Sequence, residues 1–225
     1  AVNAFPKAFV PEMNHESLSF LLGFDGVLTS LVNSLIVAAI TMVFSIGLGA
    51  PAGYALARYE FRGKGTFRLL ILLTRAFPLP LLALPLTVLY IRLGVDDTLV
   101  GLALVHTMLA LPFAVLITFS LFSGVPTELE EAAWVFGCTK VQAFRRVVLP
   151  IALPGLAASA IFAFVISWNE VFASSVLMIQ NRTLTAFLLQ NLDVSPMHMK
   201  FAGGALLVLP AATFMFLIRK HLFAM

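Results

Sequence analysis

The chain has 225 residues, of which 60% are hydrophobic and 11% charged, with a mean hydropathy of +1.01; an ordinary soluble domain carries about 25% charged residues, so the bilayer is this protein's solvent. Its net charge of +3 comes from basic residues that sort by membrane side rather than gathering in a patch, which excludes nucleic-acid binding. The lone Cys138 excludes an intrachain disulfide and a cysteine metal cage.

Residues 1–26 hold Lys7, Glu12, Glu16 and Asp25 without a long apolar run, and are expected to lie outside the membrane. Five apolar runs follow: Gly26 to Ala57, Leu69 to Ile91 interrupted by Arg75, Thr98 to Gly124, Val147 to Asn169 and Phe201 to Ile218. A span needs about 20 residues, so the part of the first run before Leu31 is expected to be an interfacial lead-in or a tilted end. Gly49 and Gly53 are spaced as in GxxxG around Pro51, while Pro78, Pro80, Pro85, Pro112 and Pro210 interrupt three other spans. Such residues suit close approach and kinks in a bundle around a moving pathway, or simply reflect membrane-helix composition.

Alternating sides along the chain collects Arg58, Arg62, Lys64, Arg68, Lys140, Arg145, Arg146, Arg219 and Lys220 on one side, against Lys7, Arg92, Arg182 and Lys200 on the other. The positive-inside rule makes the richer side cytoplasmic, with the N-terminus outside and the C-terminus inside. A polar external N-terminus with no apolar run ahead of it implies an earlier span outside this sequence, hence six spans with both ends cytoplasmic; a five-span protein is the alternative.

Between the third and fourth spans the chain turns polar. Thr127 and Glu130 form a capping-box pattern, and the helix it starts should run through Glu131, Ala132, Ala133 and Trp134 to a left-handed stop near Gly137. A second capped turn can begin at Thr139 and carry Val141, Phe144, Arg145 and Arg146 toward Pro150. Two small alanines and a glutamate suit a helix seated in a partner's groove; a helix resting on lipid headgroups has the same shape.

Glu131-Ala132-Ala133, then Gly137, then Leu149-Pro150, resemble the EAA motif of type I ABC importer permeases, and the region is similar to the carbohydrate-importer branch typified by the maltose permeases. Asn33-Ser34-Leu35, Tyr54 to Tyr59, Asp97-Thr98 and Ser167-Trp168-Asn169-Glu170 extend the resemblance over about residues 30–220. It implies an all-α polytopic membrane bundle, a type-1 ABC transmembrane domain over 27–221 with a cytoplasmic coupling loop at 125–148, and a short C-terminal end at 222–225. It also implies a multi-pass permease of the bacterial inner membrane that imports a sugar or polyol by alternating access. Glu131, Ala132, Ala133, Gly137, Leu149 and Pro150 would couple it to two partner ATPases, beside a second permease and an extracytoplasmic solute-binding protein. ATP and Mg would sit on the ATPases and no cofactor on this chain, which has no GxxxxGK[ST] loop. Phe136 departs from the family, where an acidic residue usually precedes the motif glycine.

Solute contacts are sought elsewhere. Trp168, Asn169 and Glu170 lie about 30 Å of helix beyond Pro150, where an indole face and an amide suit a sugar's C–H surface and hydroxyls; an interfacial aromatic with polar neighbours is the alternative. Arg75 lies about 10 Å beyond Arg68 along a helix and must snorkel, pair or face water. His106 is expected as a satisfied interior histidine or, less simply, a proton relay. An ABC permease for a non-carbohydrate solute would share these features. An ion-coupled carrier would need carboxylates within spans, where only the peripheral Glu170 is available, and a membrane enzyme would need clustered His, Asp or Glu.

Overall fold

The computed structural model describes residues 22–222 apart from 194 and 196. Most of the expected N-terminal segment, 1–26, and the last three residues, 223–225, lie outside the described residues. The order of elements is α1 (Val27–Arg58), α2 (Lys64–Leu73) with a 3-10 turn (Thr74–Ala76), α3 (Leu79–Leu93), α4 (Leu99–Ser123), α5 (Glu128–Val135), α6 (Lys140–Ala143), a π-helical turn (Phe144–Val148), α7 (Leu149–Asn169), α8 (Phe172–Leu177), α9 (Leu184–Leu192) and α10 (Met197–Leu222). Among the described residues there is no strand.

Four helices are long and apolar enough to cross a membrane, or five when the bent pair Lys64–Ala76 and Leu79–Leu93 counts as one span. That pair is the second apolar run, broken at Pro78, one of the prolines that interrupt it in the sequence. It bends by 82° at Phe77 and Pro78, both of extended backbone, because proline disfavours the α-region for the residue before it and supplies no N–H.

The long α1 is helical from Val27, which is fully buried in a cluster with Leu184, Leu188, Phe164 and Trp168. Its first turn therefore rests one face, Val27 and Ser30, on protein. The centre of the bundle is the seam of α1 with α4, and α7 lies against both while α10 covers α7. Gly49 and Gly53 make that seam possible. A Cβ on Gly49 would stand 2.9 Å from the Ala114 Cβ, and one on Gly53 would stand 2.1 Å from Thr118 Oγ1 and 2.6 Å from the Phe119 nitrogen. Thr118 uses the close approach to donate to the Gly49 carbonyl across the seam at 2.9 Å. The GxxxG pair thus joins two helices of one chain by small-residue packing.

At the end of the bundle opposite Arg58, Asp97 ties two loops together. Its carboxylate accepts from the backbone N–H groups of Ile179, Gln180 and Asn181 at 2.9, 3.2 and 3.1 Å, and its own N–H reaches the Leu177 carbonyl. The residue adopts φ +51°, a left-handed conformation that aspartate tolerates better than most. Burial alone would raise this carboxyl. The N–H groups of Asn181, Ile179 and Gln180, with the nearby Arg182 charge, outweigh it and hold the group below the ordinary carboxylate range.

Candidate functional site

Two regions carry polar chemistry. The first is the α5–α6 loop at the basic end of the bundle. The eight residues of α5 are too few to hold a helix alone, and the chain supplies the missing support through Glu130, which is 2% exposed. Arg58, from the last turn of α1, pairs with Glu130 through Nε and donates to the carbonyls of Phe122 and Val125 through Nη1 and Nη2, each at 2.9 Å. The Tyr54 hydroxyl donates to the other carboxylate oxygen. One guanidinium thereby joins the end of α1, the end of α4 and α5.

This arrangement displaces the expected capping box. Thr127 has helical backbone angles and makes no side-chain cap; Glu130, which would have reached back to it, is drawn into the charge-assisted pair with Arg58, the stronger bond. The stop is as expected. Gly137 takes φ +84°, and the bonds Gly137 N–H to Trp134 carbonyl and Cys138 N–H to Ala133 carbonyl close the helix end in a Schellman arrangement. Thr139 then caps α6 in a reciprocal capping box with Gln142.

Burial divides α5 by face. Ala133 is buried against its own chain, whereas Glu131, Ala132 and Gly137 are exposed. The tip is apolar: Val135 is 85% and Phe136 88% exposed. Behind it the chain enters α7 through the π turn, where the Leu149 N–H bonds to the Phe144 carbonyl five residues back. Pro150 and Pro154 remove two of the next helical donors, so the ladder there is weakened on both sides. Phe144 packs on Tyr54 and Phe122 at ring separations of 4.5 and 5.8 Å, and half-buried Leu149 joins the same cluster beside Val148 and Ala152. Pro150 is exposed.

The second region is a cavity of about 680 Å³ beneath the broken span, lined by Arg75, Asn169 and Glu170 among apolar residues of α3, α4 and α7. Three of the four solute-contact candidates thus meet in one space. Trp168 does not join them: it is 3% exposed, stacks on Phe164 at 5.5 Å and donates its indole N–H to the Leu207 carbonyl at 3.1 Å. Its ring is spent on fastening α7 to α10 and offers a solute no face.

Arg75 occupies the 3-10 turn at the break. It donates to the Leu109 carbonyl at 2.9 Å and lies over the Phe113 ring at 5.2 Å. Glu170 accepts from the N–H groups of Phe172 and Ala173 at 2.9 Å each. His106, wholly buried on α4, stands behind it, with Nδ1 2.8 Å from Ser167 Oγ and Nε2 3.3 Å from Glu170 Oε2. That second approach is close but not aligned as a hydrogen bond. His106 and Glu130 escaped the sequence reading as members of these sites. A histidine 64 positions before Glu170, or one glutamate among three in a loop, carries no spacing signal.

Residues 45–224 match the family described as a binding-protein-dependent transport system inner membrane component. The chain is 35% identical over 205 residues to the trehalose transport system permease protein SugB of Mycobacterium tuberculosis, covering 87% of this chain and 74% of that protein. It is 35% identical over 166 residues to the diacetylchitobiose uptake system permease protein DasC of Streptomyces coelicolor, covering 74% and 60%. Among solved structures, a bacterial ABC transporter involved in the import of the acidic polysaccharide alginate shares the fold with TM-score 0.68 at 23% identity, over 91% of this chain and 75% of that one. The MetNI methionine ABC transporter in an inward-facing conformation does so with TM-score 0.73 at 21% identity, over 93% and 98%. At such identities the solved structures speak for the fold.

Proposed function

Because this chain belongs to the family of binding-protein-dependent transport system inner membrane components, we propose that it is the sugar- or polyol-translocating permease subunit of an ABC importer. It is a multi-pass inner-membrane transport subunit and not an enzyme. The sugar class is supported by the trehalose and diacetylchitobiose permeases among its relatives. In this reading the basic end faces the cytoplasm, with the C-terminus on that side. A second permease, two ATPases that bind ATP and Mg, and an extracytoplasmic binding protein complete the machine.

The observation that carries the coupling role is the division of α5. Its inner face is fixed to α1 and α4 through Glu130 and Arg58, while Glu131, Ala132, Val135 and Phe136 are presented outward. A partner gripping the outer face moves the ends of two spans at once, and reaches a third through Gly137, the π turn, Leu149 and Pro150. Closure of the ATPase pair would thereby turn the pathway outward, and release would return it, a two-state alternation.

The test is reconstitution of the complete importer in vesicles, with ATPase activity measured against its binding protein loaded with a panel of sugars, polyols and other solutes. Stimulation by a sugar, and its loss in Glu131→Lys and Gly137→Pro, is the expected result. Stimulation only by a non-carbohydrate overturns the substrate class; full stimulation in both variants overturns the coupling role.

A further inference from the structure

We propose that the cavity beneath the broken span takes a sugar-like solute bearing an anionic group, a carboxylate, sulfonate or phosphate, with Arg75 as its counter-charge. The inference rests on the importer reading and deepens it from sugar to acidic sugar.

Irregular backbone at membrane depth persists only where it is buried in protein or lines a watered cavity, and the 82° break at Phe77 and Pro78 borders such a cavity. Arg75 sits on that break. A guanidinium among apolar spans costs a few kcal/mol unless something answers its charge, and among the described residues no carboxylate lies within ion-pair distance of it. Its partners are a carbonyl and a ring, which satisfy a donor and the flat face but do not neutralise the cation.

Glu170 lines the same cavity yet does not supply the missing charge. Its oxygens are held by the N–H groups of Phe172 and Ala173 and by the approach of His106. The cavity therefore holds one committed anion and one uncommitted cation. Five donors in a planar fork match a carboxylate, sulfonate or phosphate. The surrounding Phe77, Leu82, Leu86 and Met108 suit the C–H faces of a sugar ring, and Asn169 its hydroxyls.

The experiment uses cells that express the whole importer and lack other uptake routes, and compares initial uptake of radiolabelled neutral sugars with that of their uronates and 6-sulfonates. The expected result is preferred uptake of an acidic member. Arg75→Gln should cut that uptake by roughly tenfold or more, as for a lost bond to a charged group, cut uptake of neutral sugars clearly less, and be rescued only in part by Arg75→Lys, which keeps the charge but not the fork. Uptake of neutral sugars alone overturns the inference and leaves the importer reading intact. So does an equal loss of acidic and neutral uptake in Arg75→Gln, the mark of an arginine paired with a carboxylate of a second permease. If Arg75→Gln fails to assemble with the ATPases, competition in the wild type decides: blockade by unlabelled acidic sugar supports the inference, and equal blockade by the neutral counterpart overturns it. Uptake of no sugar at all overturns the sugar class of the importer reading, and this inference with it.

Discussion

Arg58 makes three bonds with one planar group, to Glu130, Phe122 and Val125. Arg58→Ala leaves the Glu130 carboxylate buried without its cation, which costs about 3 kcal/mol or more; the thermal midpoint of the detergent-purified protein should fall by several degrees. Glu130→Leu with Arg58→Met should cost less than the two single losses added together, because no orphan charge remains. Asp97 gives a pH-dependent counterpart. Its carboxyl lies below its ordinary 3.8 in the folded protein, so the stability it contributes is fully present above that value and is lost as pH falls through the lower folded value. Thermal midpoints measured from pH 6 downward should show a smaller acid-side fall in Asp97→Asn than in the wild type, from a lower starting midpoint.

Among elements, the α1–α4 seam and the α5 loop show which features were legible in the sequence. The GxxxG spacing admitted a close contact, and the structure shows that its partner is Thr118 of the same chain. Gly53→Ala should destabilise the protein strongly, since its Cβ would meet Phe119 backbone at 2.6 Å. Gly47→Ala, with nothing within 4 Å, should be neutral or up to about 1 kcal/mol stabilising; thermal unfolding of the pair of variants separates the two cases. The glycine stop and the Thr139 cap were readable because each depends on residues a few positions apart. The Thr127 cap failed for the opposite reason: its competitor, Arg58, lies 72 positions from Glu130, beyond the reach of local pattern. The same holds for the second span, whose apolar content and interrupting prolines were evident while the 82° size of its bend was not.

At the scale of the whole molecule, the fold class and the family followed from apolar runs and the loop motif, whereas the cavity that joins Arg75, Asn169 and Glu170 is a product of tertiary packing that brings a broken span over the end of α7. Assembly tests the outward face of α5. Phe136 stands where the family usually has an acid, so docking at this position should be apolar. Phe136→Asp is expected to weaken retention of the ATPase by roughly tenfold to a hundredfold, the scale of burying one phenylalanine. Phe136→Leu should largely preserve retention, and raised salt should affect the wild type little; co-purification across a salt series measures all three.

The short α5 has a further consequence for how the protein is made. Its shape is borrowed from the arginine at the end of α1 and from carbonyls at the end of α4, so the outward apolar tip should take form only once α1 and α4 have come together. A nascent or misassembled chain has no finished handle to offer. On the proposed coupling role, recruitment of the ATPases would double as inspection, because the face they would grip exists only on a correctly packed bundle.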